Sequence, residues 1–155
     1  MMTRRFGRAP RGQRVRQRVP RRRGTHLTLV GALALRGWVA ALSFDGPLDR
    51  EAFDTFVTRL LVPRLHRADV VLLDNLRVHR ASDIEEAVRA AHARVLWLPT
   101  YSPDFSPLEN CWSKVKAAVR GKEPRTASAL DRALTEALGA VTAADVDGWF
   151  RHCGY

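Results

Sequence analysis

Apolar and small residues run almost unbroken, with partial alternation, from His26 to Leu35, and resume in the same style from Trp38 to Phe44. Arg36-Gly37 separates the two runs, so the pattern predicts two strands joined by a tight turn and ending at Asp45-Gly46-Pro47. The period then changes. Phe53, Phe56, Val57, Leu60 and Leu61 recur at helical spacing between Asp49 and Leu65, with Asp49 placed to cap the helix and Pro63 to end or kink it. Asp69 to Asp74 is a short, nearly continuous apolar run, the pattern of a strand buried on both faces of a parallel sheet. A helix capped by Ser82 follows, with Ile84, Ala87, Val88 and Ala91 on one face, and Arg94 to Pro99 is a second buried strand. Three helices complete the chain. Ser106 to Val119 turns Leu108, Trp112, Val115 and Val119 inward, and Thr126–Leu138 and Ala143–Phe150 close the order.

Strands alternating with helices after residue 49 predict a mostly parallel α/β sheet led by an antiparallel hairpin. At 155 residues the chain fits one domain with a real core. It has no apolar run long enough to span a bilayer and no signal-peptide core, which predicts a cytoplasmic protein without membrane partners. Cys111 and Cys153 lack the spacing of a metal or redox motif and are expected to be reduced, unreactive thiols.

Charge changes the picture at the amino terminus. Ten arginines lie between Arg4 and Arg23, and no Asp or Glu precedes Asp45. The other 16 basic residues match the 16 acidic ones, so the formal charge of +10 belongs to the first 23 residues. Such an arm, with Arg4, Arg5, Arg8, Arg11 and Arg14 in its first half, attracts nucleic-acid phosphates without regard to sequence, although a solvated tail has the same composition. Residues 1–24 are therefore set apart as a basic arm and 25–155 as the folded domain. Gly7, Pro10, Gly12 and Pro20 argue against a regular helix in the arm.

Two carboxylates carry the candidate chemistry. Asp74 closes the run Val70-Val71-Leu72-Leu73, and the carboxyl ends of strands are where open α/β sheets gather ligands. Glu109 lies in the opening turn of a helix announced by Ser106 and Pro107, after thirty-four intervening residues, 75 to 108. Hard cations such as Mg²⁺ take carboxylate oxygens, and a pair of them activates a nucleophile and stabilises the leaving oxygen at a phosphodiester. Both acids also have structural readings. Asp74-Asn75 fits an Asx-type turn, and Ser106-Pro107-Leu108-Glu109 fits a capping box that competes for the same oxygens. Asn75 and His79 are possible accessory residues, and His79 is equally a structural hydrogen-bonder. Lys114 and Lys116, on the helix of Glu109, suit DNA phosphate or a solvated face. Trp97, Tyr101 and Phe105 are expected to pack in core and loops rather than stack on bases.

Leu72-Leu73-Asp74-Asn75 with His79, then Leu98-Pro99-Thr100-Tyr101-Ser102-Pro103-Asp104 leading to Pro107-Leu108-Glu109 and Trp112, resemble the DDE transposases of bacterial insertion sequences, in the mariner-related branch. Gly7 to Gly12, Asp45-Gly46-Pro47 and the thirty-four-residue gap agree, and the likeness runs from about Thr3 to the carboxyl terminus. It implies an RNase H-like mixed sheet flanked by helices, three carboxylates with two Mg²⁺ or Mn²⁺ ions, DNA as partner and a homo-oligomer. Asp74 then stands as the second acid and Glu109 as the third. Ser106 replaces the usual Asn, and both residue types cap helices. The family's first strand, which carries the first acid and lies centrally in the sheet, has no counterpart before Arg4, and Asp45 and Asp49 are poor substitutes. The expectation is a catalytic-domain portion lacking its first central strand and inactive or nearly so alone, or else a non-catalytic DNA-binding or subunit-poisoning remnant.

Overall fold

The computed structural model describes residues 7–16, 27–74, 82–100 and 102–155. The hairpin forms as predicted: β1 (Leu27–Ala34) pairs antiparallel with β2 (Gly37–Asp45), and Gly37 takes a φ of 103° at the turn. One residue breaks the ladder. Ala32 pairs with Ala40 but Leu33 pairs with Trp38, so Val39 is an extra, bulged residue. Side chains along a strand alternate between faces, and the bulge shifts that parity. Ala40, Leu42 and Phe44 pack on one side of the hairpin, whereas Trp38 crosses to the other and meets Trp112 with ring centroids 5.5 Å apart.

The hairpin is thereby coated on both faces. On one, Val30 joins a core with Phe53, Phe56, Val57, Leu61, Ile84, Val88 and Ala93. On the other, Leu29, Leu33 and Trp38 pack against Cys111, Val115, Val119, Ala133, Leu134 and Ala137. Gly31 lets the second layer close. A Cβ there would sit 2.9 Å from atoms of both Trp38 and Trp112.

The segment after the hairpin departs from a plain helix. Asp49 caps α1 (Arg50–Thr55) as predicted, its carboxylate accepting the Ala52 N–H at 2.8 Å. From Phe56 to Leu61 the turns widen to π, and Val62–Arg64 tightens to a 3₁₀ turn. Pro63 accounts for the change, since it has no N–H and its ring collides with the carbonyl four residues back in an α-helix. The Leu60 carbonyl is taken by the Arg64 guanidinium at 2.7 Å.

β3 (Val70–Leu73) pairs in parallel with β4 (Arg94–Trp97). Between them lies α2 (Ser82–Ala90), with Ser82 its first helical residue rather than its cap. Ile84 and Val88 are fully buried, and Trp97 Nε1 donates to Glu85 at 2.6 Å, fastening β4 to α2. Then come α3 (Pro107–Lys122), α4 (Ala127–Gly139) and α5 (Ala143–His152), so α3 runs three residues beyond its predicted end.

The predicted mostly parallel sheet is not continuous among the described residues. It is two two-stranded sheets, β1–β2 and β3–β4, with no ladder between them. β3 and β4 are accordingly not buried on both faces: Val70 is 40% and Leu96 51% exposed. An apolar run reads the same whether or not a neighbouring strand covers it.

Candidate active site at the mouth of a groove

Asp74 follows the last residue of β3, and its side chain is exposed at that strand's carboxyl end. Glu109 is the third residue of α3 and is also exposed. Both line one groove of about 570 Å³ that lies between β1 and β3. A strand end and a helix start, thirty-four residues apart in sequence, are thus brought to the same cavity.

The capping box expected at Ser106 does not form. Ser106 is extended (φ −109°, ψ 103°), and its side chain makes no cap bond. The Glu109 N–H that the hydroxyl was expected to cap donates instead to the Ser106 carbonyl at 3.0 Å, while the Ser106 N–H donates to the Pro103 carbonyl at 2.9 Å. The preceding 3₁₀ turn, Pro103–Phe105, supplies the partner of the Ser106 N–H, and the Ser106 carbonyl supplies that of the Glu109 N–H. Of the two competing roles for the Glu109 carboxylate, capping is therefore the one not in use. A true box lies elsewhere, unforeseen: Thr142 and Asp145 satisfy one another's backbone N–H groups at the start of α5. Its sequence signal was Thr-x-x-Asp.

Two oxygen donors of this kind suit a hard divalent cation in type, but the set is short. Among the described residues no three His, Cys, Asp or Glu side chains come together as a metal-holding group. Asp45 and Asp49 do not line the groove, and Asp49 is occupied as the α1 cap. Asp69, at the other end of β3, does line it, but it is bound to Arg36 at 3.0 Å and to the His66 N–H at 2.9 Å. The His66 N–H first, then Arg36, hold the Asp69 carboxyl below its ordinary range.

The other predicted residues separate. Arg8, Arg11 and Arg14 are exposed on a segment that turns at Pro10–Gln13, where the Gln13 N–H donates to the Pro10 carbonyl and Gly12 has a φ of 84°. Lys116 is exposed on α3. Lys114 is half-buried and ion-paired with Asp145, so it fastens α3 to α5. That bond, followed by those from Thr142, pulls the Asp145 carboxyl down to about 2. Burial pushes the Cys111 thiol up to about 11 and also raises Cys153, and both are free, buried cysteines, in keeping with inert thiols. Phe105 is 48% exposed rather than packed away, and its carbonyl accepts the Tyr155 hydroxyl at 2.9 Å. Arg4, Arg5, Asn75, His79 and Tyr101 lie outside the described residues. Among the described residues no helix is long and apolar enough to cross a membrane.

The described residues form a mixed α/β arrangement of small sheets and helices, with one acid after a strand end and a second at a helix start, and comparison with solved structures shows an RNase H-like fold. The chain superposes on the Mos1 strand transfer complex with a TM-score of 0.73 at 16% identity, covering 97% of this chain and 46% of that one. The Mos1 transposase paired-end complex with left transposon end gives the same values. In sequence, the Tcb2 transposase of Caenorhabditis briggsae is 28% identical over 107 residues, which is 66% of this chain and 39% of that protein. Residues 1–131 match the profile of the DDE superfamily endonucleases, and the chain belongs to that family. It spans less than half the length of these relatives.

Proposed function

We infer that this chain is the catalytic-domain portion of a transposase of a bacterial insertion sequence, whose intact form cuts and joins DNA strands at element ends by metal-assisted phosphoryl transfer. The observation that carries this reading is the convergence of Asp74 and Glu109 on one groove in a chain of the DDE superfamily endonuclease family. These two carboxylates would hold divalent cations, Mg²⁺ or Mn²⁺, which when bound would supply polarisation of the phosphodiester and activation of the attacking water or 3′-hydroxyl. The chain's own part is to present two acids from the end of β3 and the start of α3 and to attract DNA through Arg4, Arg5, Arg8, Arg11, Arg14 and Lys116. Lys114 adds to this only by leaving Asp145. Asn75 and His79 are accessory, and the intact enzyme is a homo-oligomer acting in the cytoplasm at the nucleoid.

The isolated chain is inactive or nearly so, because two acids do not complete the metal set. The shortage of a third ligand among the described residues also favours a second reading, a non-catalytic remnant that binds DNA or poisons subunits. Plasmid nicking in Mg²⁺ and gel shifts over a salt series separate these readings. Salt-steep binding without nicking is expected, with the slope lost on deleting residues 1 to 23. Robust nicking abolished by Asp74→Ala would overturn the inactivity and uphold the acid's role. Robust nicking that survives Asp74→Ala and Glu109→Ala would sink the site assignment.

A further inference from the structure

The exposed large hydrophobic side chains among the described residues include two aromatic ones, Phe105 and Tyr155, each 48% exposed. They lie 50 positions apart in sequence, yet the Tyr155 hydroxyl donates to the Phe105 carbonyl at 2.9 Å, so the two residues are neighbours. An apolar residue exposed singly is ordinary, whereas a paired aromatic surface beside a candidate site calls for a ligand. Both residues stand on hydrogen-bonded backbone. The Phe105 N–H donates to the Ser102 carbonyl at 3.2 Å, within the turn that Pro103 opens. Gly154, at a φ of 88°, turns the chain back from α5, and the Tyr155 N–H donates to the Phe150 carbonyl at 3.0 Å. The Tyr155 ring meets the Phe150 ring edge-on, with centroids 6.1 Å apart. A flat aromatic side chain so placed offers contact area at small entropic cost. The pair borders the candidate site: Ser106, which follows Phe105, and Phe150, against which Tyr155 packs, both line the groove with Glu109.

We propose that Phe105 and Tyr155 form a stacking platform for an unpaired nucleobase of the DNA strand whose phosphate lies at Glu109. Every base has a π-face, so aromatic side chains take single-stranded nucleotides without reading sequence. Asp104, exposed beside Phe105, repels phosphate, so a strand meets this surface by a base rather than by its backbone. A base inside a duplex cannot do this, because its faces are covered by the neighbours in the stack. Glu109 stands four positions after Phe105. That stretch of chain spans at most about 14 Å. At roughly 3.4 Å per nucleotide, the stacked base falls within about four nucleotides of the phosphate. The proposal deepens the DNA-acting reading above and rests on it.

The test uses the whole chain and a labelled duplex of about 20 base pairs, either blunt or extended by a single-stranded tail of about four nucleotides. Fluorescence anisotropy at fixed salt should show the tailed duplex bound about tenfold more tightly, and Phe105→Ala should remove that preference. Phe105→Trp should keep it. Phe105→Leu, which preserves apolar area without an aromatic face, should lose it. 5-Iododeoxyuridine placed at each tail position in turn should photo-cross-link to a peptide containing Phe105 or Tyr155, a readout that needs no variant and stands even if Phe105→Ala unfolds. Equal affinity for both duplexes, a tail preference kept by Phe105→Ala or Phe105→Leu, or cross-links confined to other residues would overturn the platform and leave the DNA-acting reading intact. Failure of the unaltered chain to bind either duplex would sink that reading and the platform with it. A change of sedimentation in Phe105→Ala with unaltered DNA binding would make the patch a contact between copies of the chain, against the proposal.

Discussion

The carboxyl-terminal helical layer and the groove beside it are built from similar apolar sequence, yet they end up in opposite states. Cys111, Val115 and Val119 of α3 are at most 1% exposed and packed against Ala133, Leu134 and Ala137 of α4. Across the molecule, Val70 and Leu96 remain 40% and 51% exposed, and no residue of β3 or β4 is fully buried. The helices satisfy their own backbone and need only side-chain partners, which neighbouring helices supply. A strand needs a partner on each edge, so its burial depends on an element that is not adjacent in sequence. Glu109 belongs to the finished region and Asp74 to the open one. The candidate site therefore joins a well-packed half to a partly exposed one.

The largest effects are expected where the finished layer grips the hairpin. Trp38→Ala removes the Trp112 contact and the indole donation to the Leu138 carbonyl at 3.1 Å. It should cost roughly 3 kcal/mol in urea unfolding. Gly31→Val forces a side chain into the Trp38–Trp112 contact and should cost about 1–3 kcal/mol by the same measurement, with the loss only partly relieved when Trp112 is also reduced to Leu, because Trp38 still crowds the site. Thr142→Ala removes a working cap and should cost about 1 kcal/mol. Ser106→Ala removes a hydroxyl that makes no cap bond, so its cost should be only a few tenths of a kcal/mol. Equal losses for these two caps would contradict the geometry at the start of α3.

The pH dependence of the finished region follows from Asp145, whose carboxyl is lowered from 3.8 to about 2. A depressed folded-state pKa contributes stability that is fully present above the unfolded value. That contribution should fade as pH falls from about 4 toward 2. Comparing thermal unfolding of the native chain with Lys114→Met over this window should show a shallower acid loss in the variant. Identical acid profiles would mean that the ion pair does not hold α5 in place.

Much of this molecule was legible in the chain. The element order, the Asp49 cap, the inward face of α3 and the placing of Asp74 and Glu109 at a strand end and a helix start follow from periods of two and 3.6 and from cap residues. Those are local properties, fixed by neighbours a few positions away. The bulge at Val39 was not legible, because it exists to turn Trp38 toward a ring on α3 that is 74 positions away in sequence. Nor was the empty capping box at Ser106, since the carbonyls of Pro103 and Ser106 took its two N–H groups. Lys114 read as a phosphate ligand until α5 brought Asp145 to it. The sequence by itself determined the elements and where Asp74 and Glu109 stand on them. Only the tertiary structure decided that the strands split into two sheets around a groove, because strand pairing is a contest among distant edges that no local pattern records.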